Sequence, residues 1–195
     1  MVVSIQDVII RRIGPFIIGK AVMASFLKSM FIQDTFIRDR TRFDRYKSSY
    51  IGDLAKLAVK EWLEEQGFDV VDYDDVRTDN WRSQRKPYDL QVNNHNIEVR
   101  SSIASRPSLQ WVINNEHIIH PCNVRVKEIT IQAFFRDRSC SEVWLCAWTL
   151  RKYLENDRYK TIRYVGGRPV DFYMMPFNDA HAFPMRQLIS YLQRR

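Results

Sequence analysis

Cysteine is scarce in this chain, and the three that occur are Cys122, Cys140 and Cys146. Their number is odd and no two of them form a Cys-x-x-Cys pair, so the sequence predicts neither a disulfide framework nor a cysteine zinc site. His117 and His120 lie three residues apart, but no cysteine or third histidine has the spacing of a zinc ligand. We therefore expect reduced thiols and a cytoplasmic protein.

Long uncharged apolar runs are also missing. The N-terminal residues 1–32 are rich in apolar side chains, but Arg11, Arg12 and Lys20 lie among them. No stretch reaches the ~18 uncharged apolar residues of a membrane span. A signal peptide is the competing interpretation, because the basic pair precedes an apolar stretch. Lys20 interrupts that stretch, so we favour an amphipathic helix over residues 16–31 that packs on the core or on a second subunit. A homodimer through this extension is therefore expected, and a membrane partner is not.

The chain has no internal repeat, no low-complexity tract, no P-loop and no Gly-x-Ser-x-Gly motif. Hydrophobic residues make up 45% and aromatic residues 13% of its 195 residues, which excludes a disordered chain and predicts one domain with a full core. The formal charge of +7 favours a polyanionic partner, either nucleic acid or an acidic membrane surface.

Residues 87–102 predict a β-hairpin, because apolar and polar side chains alternate on both sides of a turn-forming run at 93–96. With the tightest connection, at Asn94 and His95, all the polar side chains share one face. That face then carries an amide, a guanidinium and two carboxylates, with Gln91 opposite Glu98 and Asp89 opposite Arg100.

Two carboxylates this close repel each other, and a divalent cation relieves the repulsion. Hard oxygen ligands with open water positions suit Mg²⁺, which activates water and neutralises a phosphate. The alternative is an ordinary structural hairpin with a solvated polar face, on which Glu98 and Arg100 only contact water.

Pro87, Asp89 and the run Glu98-Val99-Arg100 resemble the signature of the PD-(D/E)XK nuclease superfamily. The resemblance covers about residues 50–150, because a helix and an apolar strand also precede the hairpin. It implies an α/β fold with a restriction-endonuclease-like mixed β-sheet flanked by helices. The remaining parts would be an N-terminal helical extension at 1–47 and a C-terminal hairpin and helix at 151–195.

The resemblance also assigns roles to residues. Asp89 and Glu98 would hold Mg²⁺, for which Mn²⁺ can substitute, and the Val99 carbonyl would assist them. If the strand at residues 129–135 lies beside Glu98, the Gln132 amide can reach the attacking water or a phosphate. An amide that bonds only to backbone is the alternative for Gln132.

The sequence departs from the superfamily at Arg100, which stands at the lysine position. Arginine stays charged at any working pH, so it cannot accept a proton, but it can hold a scissile phosphate or stabilise its transition state. A predicted helix at residues 51–66 offers Asp53 as a further metal ligand. Lys56 occupies the position where an acid is usual, and it would supply the missing amine or contact DNA. Alternatively, Asp53 only stabilises the positive end of its helix.

Three cationic residues immediately precede the predicted hairpin. We expect Arg82, Arg85 and Lys86 to bind the DNA phosphates next to the bond that is cleaved. These features together predict a Mg²⁺-dependent DNA endonuclease, ranked first as a restriction-type enzyme. One alternative is a nuclease-fold DNA-binding protein that is catalytically inactive. Another is an interaction protein whose basic surface meets an acidic partner or a membrane.

Overall fold

The computed structural model describes residues 2–31, 41–78, 86–165 and 167–194, and the strands in these ranges form two sheets. The helices are α1 (Pro15–Phe31), α2 (Arg42–Glu65), α3 (Tyr73–Val76), α4 (Leu109–Asn115), α5 (Arg151–Leu154) and α6 (Met185–Leu192). The strands are β1 (Ile9–Arg12), β2 (Val71–Asp72), β3 (Leu90–Val92), β4 (His95–Ile103), β5 (His117–Pro121), β6 (Ile129–Phe135), β7 (Glu142–Leu150), β8 (Lys160–Val165) and β9 (Arg168–Pro176).

The larger sheet is mixed and has the strand order β1-β7-β6-β4-β3-β2. β4 and β6 run parallel, whereas the other neighbours are antiparallel. A parallel pair needs a crossover, and α4 and β5 lie in the chain between these two strands. The α/β class with a mixed sheet and helices is confirmed. The finer expectation, a restriction-endonuclease-like fold, stays a prediction.

β6 and β7 form the buried centre of this sheet. All seven residues of β6 and seven of the nine in β7 are buried. A nearly continuous apolar sequence is what a strand covered on both faces requires. One face of the sheet packs against α1, α2 and α6, and the other packs against α4 and the three-stranded sheet β5-β9-β8.

α2 is longer than the sequence predicts. It begins at Arg42 rather than near residue 51, because the Thr41 side chain caps it by accepting a hydrogen bond from the Asp44 N–H at 3.1 Å. Its apolar stripe against the sheet starts only in the second half, which is the part that the sequence pattern revealed. After the helix ends at Glu65, Gly67 adopts a φ of 85°, which is the left-handed conformation typical of a glycine that follows a helix.

The N-terminal extension is not helical throughout, which corrects the expectation for residues 1–47. β1 joins the larger sheet as an edge strand antiparallel to β7, with Ile9 opposite Leu145. α1 then packs against α2. None of the helices within the described ranges has the length and apolarity needed to cross a bilayer.

Candidate functional site

Asn93 and Asn94 form the turn of the β3–β4 hairpin. Their φ values of 46° and 68° lie in the left-handed region, which a two-residue type I′ turn requires and asparagine tolerates. The predicted turn at Asn94 and His95 is therefore wrong by one residue. His95 instead pairs with Val92 as the first pair of the hairpin.

When the turn moves by one residue, each residue of β3 pairs with a β4 residue two positions earlier, because one strand loses a residue and the other gains one. Gln91 lies opposite Asn96 rather than opposite Glu98. An even shift preserves the alternation, so Gln91, Glu98 and Arg100 still share a face although the predicted pairs are wrong. Asp89 immediately precedes β3, and its N–H donates a 2.9 Å hydrogen bond to β4.

The Asp89 carboxylate is held against β4 by two donors. One oxygen accepts from the Val99 N–H at 3.0 Å, and the other accepts from the Lys86 ammonium at 2.7 Å. Burial on its own would raise the pKa of Asp89, but Lys86 and the Val99 N–H outweigh it and the pKa is lowered. Asp89 is therefore ionised near neutral pH, and it lies beside the peptide that joins Glu98 to Val99.

Glu98 has a different pair of partners. One of its carboxylate oxygens lies 2.6 Å from Arg100, and the other lies 2.8 Å from Nε2 of His120. His120 comes from β5, is fully buried, and has its Nδ1 2.8 Å from the Pro121 carbonyl. Arg100 and His120 also contact each other at 3.1 Å. Glu98 is thus neutralised on the side of the sheet that faces β5.

Gln132 lies beside Arg100 in the parallel pairing of β4 with β6, so the expectation that this strand neighbours Glu98 is confirmed. Its side chain is buried. It accepts a 3.1 Å hydrogen bond from the Ile119 N–H and donates a 3.2 Å bond to the Ala133 carbonyl, at a register shift in the β6–β7 pairing. The structure therefore gives Gln132 the backbone-bonded role that the sequence left as an alternative.

Asp53 and Lys56 belong to a second charged group, which we name the aspartate–lysine cluster. It comprises Lys28 of α1, Asp53 and Lys56 of α2, Asp72 of β2, Asp74 of α3, and Lys86 and Asp89 before β3. Lys86 links its two ends, because its ammonium lies 2.7 Å from Asp89 and 3.9 Å from Asp74.

Asp53 is buried in this cluster, where it pairs with Lys28 and accepts a 2.9 Å hydrogen bond from Ser25. Because α2 starts at Arg42, Asp53 lies in mid-helix, which contradicts the alternative that it stabilises the positive end. Asp53 shares the aspartate–lysine cluster with Asp89 but makes no described contact with Asp89 or Glu98, because its partners are Ser25, Lys28 and Lys56.

Lys56 is also buried, and its ammonium lies 2.7 Å from Asp72 and 2.5 Å from Asp74. Burial would lower the pKa of Lys56, but the carboxylates outweigh it and the pKa is raised. The pKa of Lys86 is likewise raised, despite burial, by Asp89 and Asp74. Lys56 therefore neither supplies a neutral amine nor faces solvent where DNA would lie.

A cavity of about 190 Å³ opens onto the aspartate–lysine cluster. Met23, Ala24 and Leu27 of α1 form an apolar wall, and Asp53 and Lys56 lie on the charged side. The charges that line it are already paired with one another, so the cavity offers no evident unsatisfied group for a ligand.

The donor set suits Mg²⁺ in chemistry, since this ion is commonly held by one or two carboxylates together with water and substrate phosphate. Asp89, Glu98 and the Val99 carbonyl could supply such a set. Among the residues that the structure describes, however, no group of three or more His, Cys, Asp or Glu side chains is placed to hold a metal. An ion at these carboxylates would compete with Lys86 for Asp89 and with Arg100 for Glu98.

Arg82 and Arg85 fall outside the described residues, whereas Lys86 is described and a quarter exposed. Sequence reasoning missed the contact of His120 with Glu98, because 22 residues separate them and only the position of β5 joins them. It also missed Asp72 and Asp74, which follow α2 in an acidic run and could have been recognised as partners for Lys56.

Comparison with protein-family models, with curated proteins and with solved structures found nothing that matches this chain.

Proposed function

We propose that this protein is a Mg²⁺-dependent DNA endonuclease that hydrolyses phosphodiester bonds at the Asp89–Glu98 edge of the hairpin. The observation that carries the proposal is the 3.0 Å hydrogen bond from the Val99 N–H to the Asp89 carboxylate. It brings an ionised acid that precedes one strand next to the peptide that follows Glu98 on the neighbouring strand. The PD-(D/E)XK resemblance implies such an arrangement for its two metal-binding acids.

In this proposal Asp89, Glu98 and the Val99 carbonyl hold the ion. When bound, Mg²⁺ supplies an activated water and neutralises charge on the phosphate. Lys86 and Arg100 neutralise the two carboxylates in the free protein. When a phosphodiester arrives, both cations can move from the carboxylates to its oxygens, because both side chains are partly exposed and both stay charged.

DNA is the favoured partner because the whole chain is basic, with a formal charge of +7. Two partly exposed cations lie at the site itself, so a phosphate can reach them without unfolding the hairpin. Arg82 and Arg85 remain predicted phosphate contacts. The restriction-type role rests on the resemblance, and repair, excision or junction cleavage would use the same chemistry.

Supercoiled plasmid, incubated with the protein in Mg²⁺, Mn²⁺ or EDTA, tests the proposal. We expect nicked or linear products that require the metal. Asp89→Asn and Glu98→Gln should abolish cleavage, because each removes one metal-binding charge without changing side-chain size, while binding to duplex DNA persists. Asp157→Asn is the matched control, since it removes an exposed carboxylate in the short 3-10 helix Asp157–Tyr159, which precedes β8 and contributes no residue to the candidate site. Cleavage that survives both site variants would refute the proposal.

The second candidate is a nuclease-fold protein that binds DNA without cutting it. The 2.6 Å pair between Arg100 and Glu98 favours it, because a permanent cation occupies a predicted metal-binding oxygen. The raised pKa values of Lys56 and Lys86 also leave no neutral amine to replace the missing lysine. Wild-type protein that binds DNA but never nicks it, together with an Arg100→Lys variant that gains metal-dependent nicking, would establish this candidate.

A further inference from the structure

The polar side of α1 faces inward. Ser25 donates a 2.9 Å hydrogen bond to Asp53, and Lys28 pairs with both Asp53 and Asp74. Ile17 and Ala21 complete the buried side of the helix. Three of the four polar side chains of α1, those of Ser25, Lys28 and Ser29, are therefore buried inside the protein, which reverses the usual arrangement of a surface helix.

The outward side of α1 is apolar. Phe16 is 76% exposed, Met23 62%, Phe26 53% and Met30 46%, and a Cβ placed on Gly19 would meet nothing within 4 Å. These five residues follow one another at spacings of three, four, three and four. That spacing is the a/d pattern with which one helix packs along another. We name this row, from Phe16 to Met30, the α1 seam.

The area of this face is comparable with that of the smaller specific complexes. Ile18, Val22 and Phe31 flank the seam and are also exposed. With about half of each side chain exposed, α1 presents on the order of 650 Å² of apolar surface, so two copies would bury at most roughly 1,300 Å². Specific interfaces bury about 1,200–2,000 Å² in total. An apolar face of this size is otherwise uncommon on a protein surface.

The chemistry of the seam decides between possible occupants. The α1 seam carries no charged residue, and the neighbouring Lys20 lies 3.6 Å from Asp75. The seam therefore offers no cation to which DNA or an acidic peptide could bind. A helix that lies on a membrane surface exposes a cationic polar face. The polar face of α1 is instead buried against α2, with Lys28 7% exposed.

We propose that the α1 seam packs against the same seam of a second copy of this chain, which makes the protein a homodimer. Identical apolar rows are self-complementary under two-fold symmetry, and no charge of like sign meets across them. The dimer does not depend on the proposed nuclease activity, because Asp89 and Glu98 take no part in the α1 seam.

Sedimentation velocity of the full chain over a wide concentration range tests the dimer. We expect the mass of two chains for the wild type. Phe26→Glu should weaken the dimer by about 30-fold or more, because a charge would be buried in the seam without a partner. Tyr164→Glu, which changes a more exposed aromatic residue on β8, is the matched control and should leave the mass unchanged. Circular dichroism establishes that both variants are folded.

Oxidative cross-linking gives a second measurement that does not depend on a destabilising change. In a Cys122→Ser background, Met23→Cys and Phe26→Cys, alone or mixed, should form covalent dimers, whereas Tyr164→Cys should not. Cross-linking by Tyr164→Cys as readily as by the seam variants overturns the proposal. A wild-type protein that stays monomeric at every concentration also overturns it, as does a monomer that floats with vesicles of anionic lipid.

Discussion

At the scale of single residues, each acid of the candidate site has its own cation. Lys86 lies 2.7 Å from Asp89, and Arg100 lies 2.6 Å from Glu98. Neither carboxylate is left to repel the other in the free protein. Under the proposed nuclease function, the repulsion that would attract Mg²⁺ arises only after the two cations have moved to the oxygens of a phosphodiester.

Lys56 makes the clearest structural contribution of any single residue in the aspartate–lysine cluster. Its ammonium lies between Asp72 and Asp74, and all three side chains are almost completely buried. Lys56→Met should lower the free energy of unfolding by about 3–5 kcal/mol, because buried Asp72 loses its ammonium partner and Asp74 loses one of its close cations while it keeps Lys28. Urea denaturation measures the change.

Lys160→Met is the control for this prediction. Lys160 also pairs with an aspartate, but its side chain is half exposed, and solvent screens such a pair. We expect little change in urea stability for this variant. If Lys56→Met proves as stable as the wild type, the cluster has no structural role and its lysine is available for another function.

At the scale of elements, the turn of the β3–β4 hairpin fixes which side chains meet. Asn94 has a φ of 68°, a conformation that β-branched residues adopt only with strain. Asn94→Val should destabilise the protein by about 1–2 kcal/mol, and Asn94→Gly should be neutral or stabilising. Thermal or urea unfolding of the two variants tests this expectation.

Asn123→Val is the matched control, since Asn123 is an exposed turn asparagine without a positive φ. It should cost much less than Asn94→Val. Equal costs at the two positions would mean that backbone strain is not what selects asparagine at the hairpin turn.

The sequence pattern located most elements that face the core. The strand predicted at 129–135 is β6, at Ile129–Phe135. β8 and β9 form the C-terminal hairpin expected within residues 151–195. The sequence does not predict β1, because a segment of four residues that includes two arginines is too short to show alternation. It becomes a strand only by pairing with the edge of β7.

At the scale of the whole molecule, the charge of +7 implies that the proposed binding to DNA would weaken as salt is added. A protein that contacts about five phosphates should lose roughly 500-fold in affinity between about 50 and 200 mM salt. Fluorescence anisotropy with a labelled duplex measures this slope. Lys86→Gln should reduce the slope by about one phosphate equivalent. A slope that does not differ from that of the wild type would exclude a phosphate contact by Lys86.

The sequence by itself determined the hairpin, its alternation and the identity of its polar face, because side chains of a strand alternate whatever the rest of the chain does. It also determined the apolar second half of α2 and the apolar central strands β6 and β7. These are local properties of the sequence. Apolar side chains repeat every two residues in a strand and every 3.6 residues in a helix, and a glycine marks where a helix ends.

Only the tertiary structure decided which charges meet. The contact of Glu98 with His120 and the pairing of Asp53 with Lys28 depend on how α1, α2 and β5 pack around the larger sheet, whereas Lys86 and Asp89 are only three residues apart. Buried charges must find partners wherever the fold places them, because an unpaired charge away from water is costly. The same requirement buried the polar side of α1 and left its apolar seam exposed; the sequence periodicity shows the two sides, but only the fold decides which of them faces outward.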